Sequence, residues 1–266
     1  SPVTEDPVKN SERVRLTIAG GVATIALDRE ARMNAFDEAM HASLRAALAT
    51  AATDASLRAV ILTGSGRAFS SGQDLGERAA TFAQGQVPDL RASLEGNYNP
   101  LVRCLAQLPI PVIAAVNGIA FGAGAALAIA CDIVVAARSA RFQFGFINVG
   151  LGPDSGASWH LPRLVGPARA MDLALTARPV SAEEALAMGL VSRMVEDADL
   201  AETAAAIARE FATKSAPAVA AVKRQLRANP AGTLDAALDV ERDTQSLLGA
   251  SVEYRNAVLH FSRPRT

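Results

Sequence analysis

A chain of 266 residues, half of them hydrophobic and a fifth charged, is long enough to bury a full core and reads as one large domain. Its formal net charge of −1 comes with no clustered basic stretch, which excludes a nucleic-acid face and an anionic-membrane surface. Two cysteines, Cys104 and Cys131, each among apolar neighbours, exclude a disulfide framework; with no secretory leader and no apolar run of membrane-spanning length in view, a cytoplasmic protein is expected.

Residues 1–11 are expected to form a disordered tail. Residues 13–18 and 22–27 then alternate apolar and polar around Gly20-Gly21, a two-residue hairpin. Asp37 is placed to cap a helix running to Ala52, with Met40, Leu44, Ala47 and Leu48 on its apolar face and His41 on its polar one. A strand over 58–63, a helix near 97–107, a strand over 111–116, a helix over 123–130 and a strand over 132–136 continue the chain. Strands alternating with helices predict a parallel sheet joined by right-handed crossovers. After residue 165 the only strand signal is Val191 to Val195. Ser181-Ala182-Glu183-Glu184 has the form of a capping box, and helices are predicted over 199–213, 216–228, 232–248 and 251–261.

Two glycine-rich strand ends stand out. One is Asn117-Gly118-Ile119-Ala120-Phe121-Gly122-Ala123-Gly124, between a strand and a helix. The other is Gly64-Ser65-Gly66-Arg67-Ala68-Phe69-Ser70-Ser71-Gly72-Gln73-Asp74-Leu75. Neither has dinucleotide or phosphate-loop spacing. Bare backbone N–H groups from two such turns, one of them at a helix N-terminus, can converge on a single carbonyl oxygen and stabilise it as an oxyanion.

These two segments resemble the signatures of the crotonase (enoyl-CoA hydratase/isomerase) superfamily. Further matches lie at Arg32-Met33-Asn34-Ala35-Phe36, Ser139-Ala140-Arg141-Phe142, Gly166-Pro167-Ala168-Arg169-Ala170 and Gly189-Leu190-Val191, so the resemblance spans about residues 12 to 262. It implies an α/β fold: a spiral of β-β-α turns over 12–196 that binds acyl-CoA, then a helical segment over 197–266 that packs a homotrimer or a dimer of trimers. It also assigns site residues. The enolate-binding amides are those of Gln73 and Ala123; Arg32, Met33, Ala68, Ser71, Asp74 and Leu75 are expected to contact coenzyme A; Phe36, Gly122, Phe146 and Leu151 shape the substrate pocket. The partner is an acyl-CoA thioester, with coenzyme A as part of the substrate, no separate cofactor and no metal; His41, His160 and His260 are too scattered for a metal set or a nucleophilic triad.

Reaction type in this superfamily depends on the acids above the oxyanion hole. Where family hydratases carry two glutamates this chain has Ala126 and Phe146, so hydration, which needs one group to activate water and another to protonate carbon, is not expected. Asp154, in Gly150-Leu151-Gly152-Pro153-Asp154-Ser155-Gly156, falls where several family isomerases hold a proton-shuttling acid. Apolar neighbours would raise its pKa toward a useful base. The alternative is that Asp154 caps a helix starting near Ser155. Among the branches, the chain most resembles the isomerases of ring-epoxidised phenylacetyl-CoA, through Asn99-Pro100-Leu101-Val102-Arg103 and Glu241-Arg242-Asp243 as well as the Asp154 loop. A general enoyl-CoA isomerase, an aryl-CoA dehalogenase (with Arg103 where that enzyme has a histidine) and a non-catalytic acyl-CoA-binding protein are the other readings. Phe261-Ser262-Arg263-Pro264 departs from the family's C-terminal pattern, which bears on the coenzyme A contact between subunits.

Overall fold

The computed structural model describes residues 9–10, 13–228 and 232–261. Of the expected tail, Lys9–Asn10 (β1) pair with Leu16 and Arg15, and the remainder lies outside the described residues, as does Ser262 onward. Val14–Ala19 (β2) and Val22–Leu27 (β3) form the expected hairpin. Gly20 and Gly21 both sit at positive φ, as a tight primed turn requires. Glu38–Thr53 (α1) starts where the Asp37 carboxylate accepts the Met40 N–H at 2.8 Å. Then come Ala59–Gly64 (β4), Ala68–Ser70 (β5), Leu75–Ala83 (α2), Leu90–Ser93 (α3) and a π-helical turn over Leu94–Tyr98 that leads into Asn99–Gln107 (α4). Val112–Val116 (β6), Ile119–Phe121 (β7), Ala123–Ala130 (α5), Ile133–Ala137 (β8) and Arg141–Gln143 (β9) follow. The last third holds Ala157–Val165 (α6), Pro167–Thr176 (α7), Val180–Ser181 (β10), Ala182–Ala187 (α8), Arg193–Val195 (β11), Leu200–Ala212 (α9), Ala216–Ala228 (α10), Leu234–Gly249 (α11) and Val252–Phe261 (α12). The Ser181 hydroxyl caps α8 through the Glu184 N–H, as its capping box predicts.

The strands make two sheets. The larger runs β1-β2-β3-β4-β6-β8-β11, antiparallel as far as β3 and parallel beyond it. The smaller runs β10-β9-β7-β5. Its three-residue members are strands where the sequence reading had only turns. Parallel strands are covered on both faces, so β4 and β6 read as unbroken apolar runs whose alternate residues go opposite ways. Val60, Leu62, Val112, Ala114 and Val116 enter the main core with Phe36, Phe69, Phe142 and Phe144. Ala59, Ile61, Ile113 and Ala115 enter a second core under Leu200, Ala204, Ile207 and Ala208 of α9. The boundary at 196/197 therefore marks a change of secondary structure while packing runs across it. The last two helices differ: α11 buries no residue, and Leu234, Leu238, Leu247, Val252, Tyr254 and Leu259 are all exposed. Among the described residues no helix is long and apolar enough to cross a membrane.

Three glycines let β5 and the residues leading into it lie against the end of β4, the start of β7 and α5. A Cβ on Gly118 would stand 2.0 Å from the Arg67 carbonyl oxygen, on Gly64 2.2 Å from that of Ala68, and on Gly124 2.2 Å from that of Ser70. Gly118 and Gly124, read from the sequence as access for a ligand, serve close backbone packing instead.

Candidate active site

The segment carrying Gln73 is held by Phe36. The Phe36 N–H donates to Gly72 O at 2.7 Å and its carbonyl accepts the Asp74 N–H at 2.9 Å, a one-residue parallel bridge. Because backbone groups of successive residues in an extended chain point opposite ways, the N–H of Gln73 itself faces away from Phe36. It has no acceptor among the described residues. Ala123 is the first residue of α5, so its N–H is one of the donors every helix leaves unbonded at its start, and it too has no acceptor. Gly122 holds φ +53, ψ −122, outside the range of other residues, while its own N–H is tied to Gln143 O at 2.8 Å. Gly72, at φ +91, brings the two donors together: a Cβ there would lie 3.2 Å from the Ala123 nitrogen and 2.8 Å from Phe121 O. Two asparagines, Asn34 buried and Asn117 half-buried, set the turn below. Asn34 and Asn117 both donate to the Ala68 carbonyl, at 2.8 and 3.1 Å, and Asn34, itself at positive φ, also reaches Ser65 O.

Gln73 and Ala123 open into a cleft of about 430 Å³, lined also by Ser71, Leu75, Arg78, Tyr98, Gly122, Phe146, Leu151 and Asp154. The structure thus brings together eight of the predicted residues: Gln73, Ala123, Asp154, Ser71, Leu75, Gly122, Phe146 and Leu151. Phe36 is corrected. It is 1 % exposed, packed in the core against His41 and Tyr98, and supports the site from behind. Ala68 is buried in β5, and Asp74 caps α2 and pairs with Arg29 at 2.7 Å; neither lines the cleft. Arg32 and Met33 adjoin it through the Met33 carbonyl, which accepts the Ser71 N–H at 2.9 Å.

Asp154 faces this cleft from the loop before α6. Burial pushes its carboxyl above the ordinary aspartate range, against the Ser155 hydroxyl bond and the Arg78 charge, which pull it down. Its side chain does not cap α6: Gly156 is the N-cap residue and only the Asp154 backbone carbonyl accepts the Ala157 N–H. Ser155 at φ +54 is a strained conformation for a non-glycine residue, adjoining the carboxylate. The position of Ala126 is fully buried in α5, Phe146 forms cleft wall, and Arg103 is exposed and away from the cleft.

A polar network that the sequence reading missed surrounds Gln73. Its amide oxygen accepts from the Tyr98 hydroxyl at 2.8 Å and Arg78 Nη2 at 3.1 Å, while its amide nitrogen donates to Glu77 at 3.1 Å. Gln73, singled out from the sequence for its amide, thus has a side chain that is also a hub. Burial, followed by the Asp154 charge, raises the Tyr98 pKa, so its hydroxyl stays protonated and donates. His41 is also corrected: it is 4 % exposed, edge-on to Tyr98 at 4.4 Å, with Nε2 unpartnered and its pKa lowered to about 4, mainly by burial. Leu44 and Leu48, three and seven residues on, carried the helical spacing that would have put His41 on the inner face.

Residues 17–265 match the enoyl-CoA hydratase/isomerase family. The chain belongs to that family. A 1,2-epoxyphenylacetyl-CoA isomerase of Escherichia coli K12 is 47% identical over 92% of this chain and 94% of its own length. A Rhodobacter capsulatus protein named as a probable enoyl-CoA hydratase is 46% identical over 95% of each. The crystal structure of an enoyl-CoA hydratase from Bacillus anthracis superposes with a TM-score of 0.86 at 32% identity, covering 94% of this chain and 96% of that one. The crotonase-type α/β fold with a helical C-terminal region is thereby established, and family members of different reaction types share it.

Proposed function

We propose that the protein is a CoA-thioester isomerase that forms an enolate between the Gln73 and Ala123 amides and moves a proton with Asp154. The observation that carries this reading is one cleft holding two unbonded N–H groups and one carboxylate of raised pKa, with Phe146 where family hydratases carry an acid. Ionised Asp154 takes the acidified proton beside the thioester carbonyl. The electron pair moves onto the carbonyl oxygen, where the two amides stabilise it, and the same carboxyl returns the proton farther along the acyl group. No atom is gained or lost. On a ring-epoxidised phenylacetyl thioester this transfer accompanies expansion to the seven-membered oxepin; on a linear enoyl thioester it shifts the double bond. The ring substrate is favoured by the identity to the epoxyphenylacetyl-CoA isomerase.

The exposed leucines of α11 and α12 support assembly as a homotrimer or a dimer of trimers, in which they would be covered. Light scattering on purified protein tests this, a monomer being the contrary result. For the chemistry, a turnover screen with ring-epoxidised phenylacetyl, crotonyl, and cis- and trans-enoyl thioesters should show isomerisation without hydration. Hydration of crotonyl-CoA at an ordinary enzymatic rate would overturn the proposal.

A further inference from the structure

Arg78 breaks a pattern. Most of the other half-buried arginines face carboxylates: Arg29 meets Asp74 at 2.7 Å and Asp37 at 3.3 Å, and Arg227 meets Asp132 at 2.6 Å, whereas Arg58 donates to the Ala55 and Leu57 carbonyls. Such pairing is what burial of a cation ordinarily demands. Arg78 is half-buried on α2 and lines the cleft, yet among the described residues it forms no ion pair. Its Nη2 donates to Gln73 Oε1 at 3.1 Å and to Ser93 Oγ at 2.7 Å, both neutral acceptors. Its Nε is buried without a partner, and Nη1 makes no hydrogen bond to the described residues.

The wall around it is mostly apolar, with Leu75, Leu90, Leu94, Phe146 and Leu151. A guanidinium with an unused edge in such surroundings gains most from an oxygen brought in by the ligand, since a charge-assisted hydrogen bond in a poorly hydrated site is stronger than one in water. The position says which part of the ligand. Arg78 shares Gln73 Oε1 with Tyr98, and its charge is felt at Asp154, so it stands at the end of the cleft where the proton is moved. Arg32 and Met33, beside Ser71, adjoin a different part of the lining.

We infer that Arg78 is a specificity-determining residue whose free guanidinium edge binds an oxygen carried on the acyl group, so that the cleft prefers acyl-CoA thioesters oxygenated near the reacting carbons to plain aryl or enoyl ones. The inference rests on the acyl-CoA reading above and goes beyond it in naming which residue reads the acyl oxygen. An aliphatic enoyl chain would leave the cation facing hydrocarbon, and the resulting penalty is the source of selectivity.

Calorimetric binding of phenylacetyl-CoA, 2-hydroxyphenylacetyl-CoA and free coenzyme A to the purified protein tests this without requiring turnover. The hydroxylated thioester is expected to bind about 10- to 100-fold more tightly than phenylacetyl-CoA, the range for a hydrogen bond to a charged group. Arg78→Met should bring the two within about 3-fold, weakening the hydroxylated thioester and relieving the penalty on phenylacetyl-CoA, so that the two affinities move in opposite directions. Arg78→Lys, which keeps the charge and loses the fork, should retain part of the preference and serves if the methionine variant unfolds. Equal binding of the two thioesters by the parent protein, or a preference that persists in Arg78→Met, overturns the inference. A loss in Arg78→Met that is equal for all three ligands does so too, by assigning the cation to the coenzyme A moiety. Selective binding without isomerase activity would instead remove the proposed reaction and leave the role of Arg78 intact.

Discussion

The two walls of the cleft are made of different material. One is backbone: the Gln73 and Ala123 amides, aimed by the Phe36 bridge, by Gly72 and by the start of α5. The other is side chain: Arg78, Tyr98 and Asp154, held respectively on α2, on the turn before α4 and on the loop before α6. A backbone donor survives almost any substitution at its own position and is lost only when the geometry or the N–H goes. A side-chain wall can exchange one chemistry for another by single replacements, and Phe146 is one such wall position here. On the proposed reading, the backbone wall is the constant part of the site, and the acid and cation opposite it decide the reaction.

The largest effect expected from this contrast is on hydration. With no carboxylate at Ala126 or Phe146, crotonyl-CoA should be hydrated at least ~10³-fold more slowly than by a two-glutamate enzyme, because each placed acid or base contributes about 10²–10⁴. Next is the backbone wall. Proline is tolerated as the first residue of a helix, so Ala123→Pro removes one N–H with little else and should reduce turnover by about 10²–10³-fold. If that variant folds and turns over normally, the amide of Ala123 is not in the hole.

On the side-chain wall, Asp154→Asn should reduce isomerisation by about 10²-fold or more while acyl-CoA still binds. The pH dependence follows from the raised pKa. The base must be ionised, so parent activity should rise with pH through a midpoint above the ordinary aspartate value of 3.8, and a midpoint at or below it would contradict the buried setting. Since the folded protein holds that proton more tightly than the unfolded chain, Asp154 subtracts stability as pH rises through this range, and Asp154→Asn should melt no lower than the parent at neutral pH. Gln73→Ala tests where the walls meet: it keeps the amide but leaves the Tyr98 hydroxyl and Arg78 Nη2 without their shared acceptor, so a loss of about 10-fold in turnover is expected. A loss as large as that of Ala123→Pro would make the side chain, rather than the amide, the principal contribution of Gln73.

The smallest effect lies behind the site. His41 is near 6.5 when unfolded and about 4 when folded, so as pH falls from 6.5 toward 4 the unfolded chain takes the proton first and stability declines, by at most roughly 3 kcal/mol. His41→Phe should flatten this limb in chemical denaturation at pH 4 to 7; a residual slope is expected from His160, also lowered to about 4 by burial. An unchanged slope would mean that His41 is already charged in the folded state.

The sequence by itself determined the parallel core, several helix starts and the place of the two glycine-rich segments, while α2 and α7 went unread. The apolar runs of β4 and β6 are long enough to show burial on both faces, and Asp37 and Ser181 cap the helices after them by local hydrogen bonds that need no distant partner. Asp154 was legible only through the family pattern, since nothing local to its loop places it near Gln73. What the tertiary structure alone decided is longer-ranged. The strands β5, β7 and β9 have three residues each, too few to display a period, and β5 is seated where Gly64, Gly118 and Gly124 admit its backbone. Arg78 and Tyr98 are ordinary surface and core residue types on helical segments, and they become part of the site because Gln73 lies between them. Hydrogen bonds to a shared acceptor and the burial that shifts a carboxyl pKa depend on which segments meet in space, and spacing along the chain does not encode that.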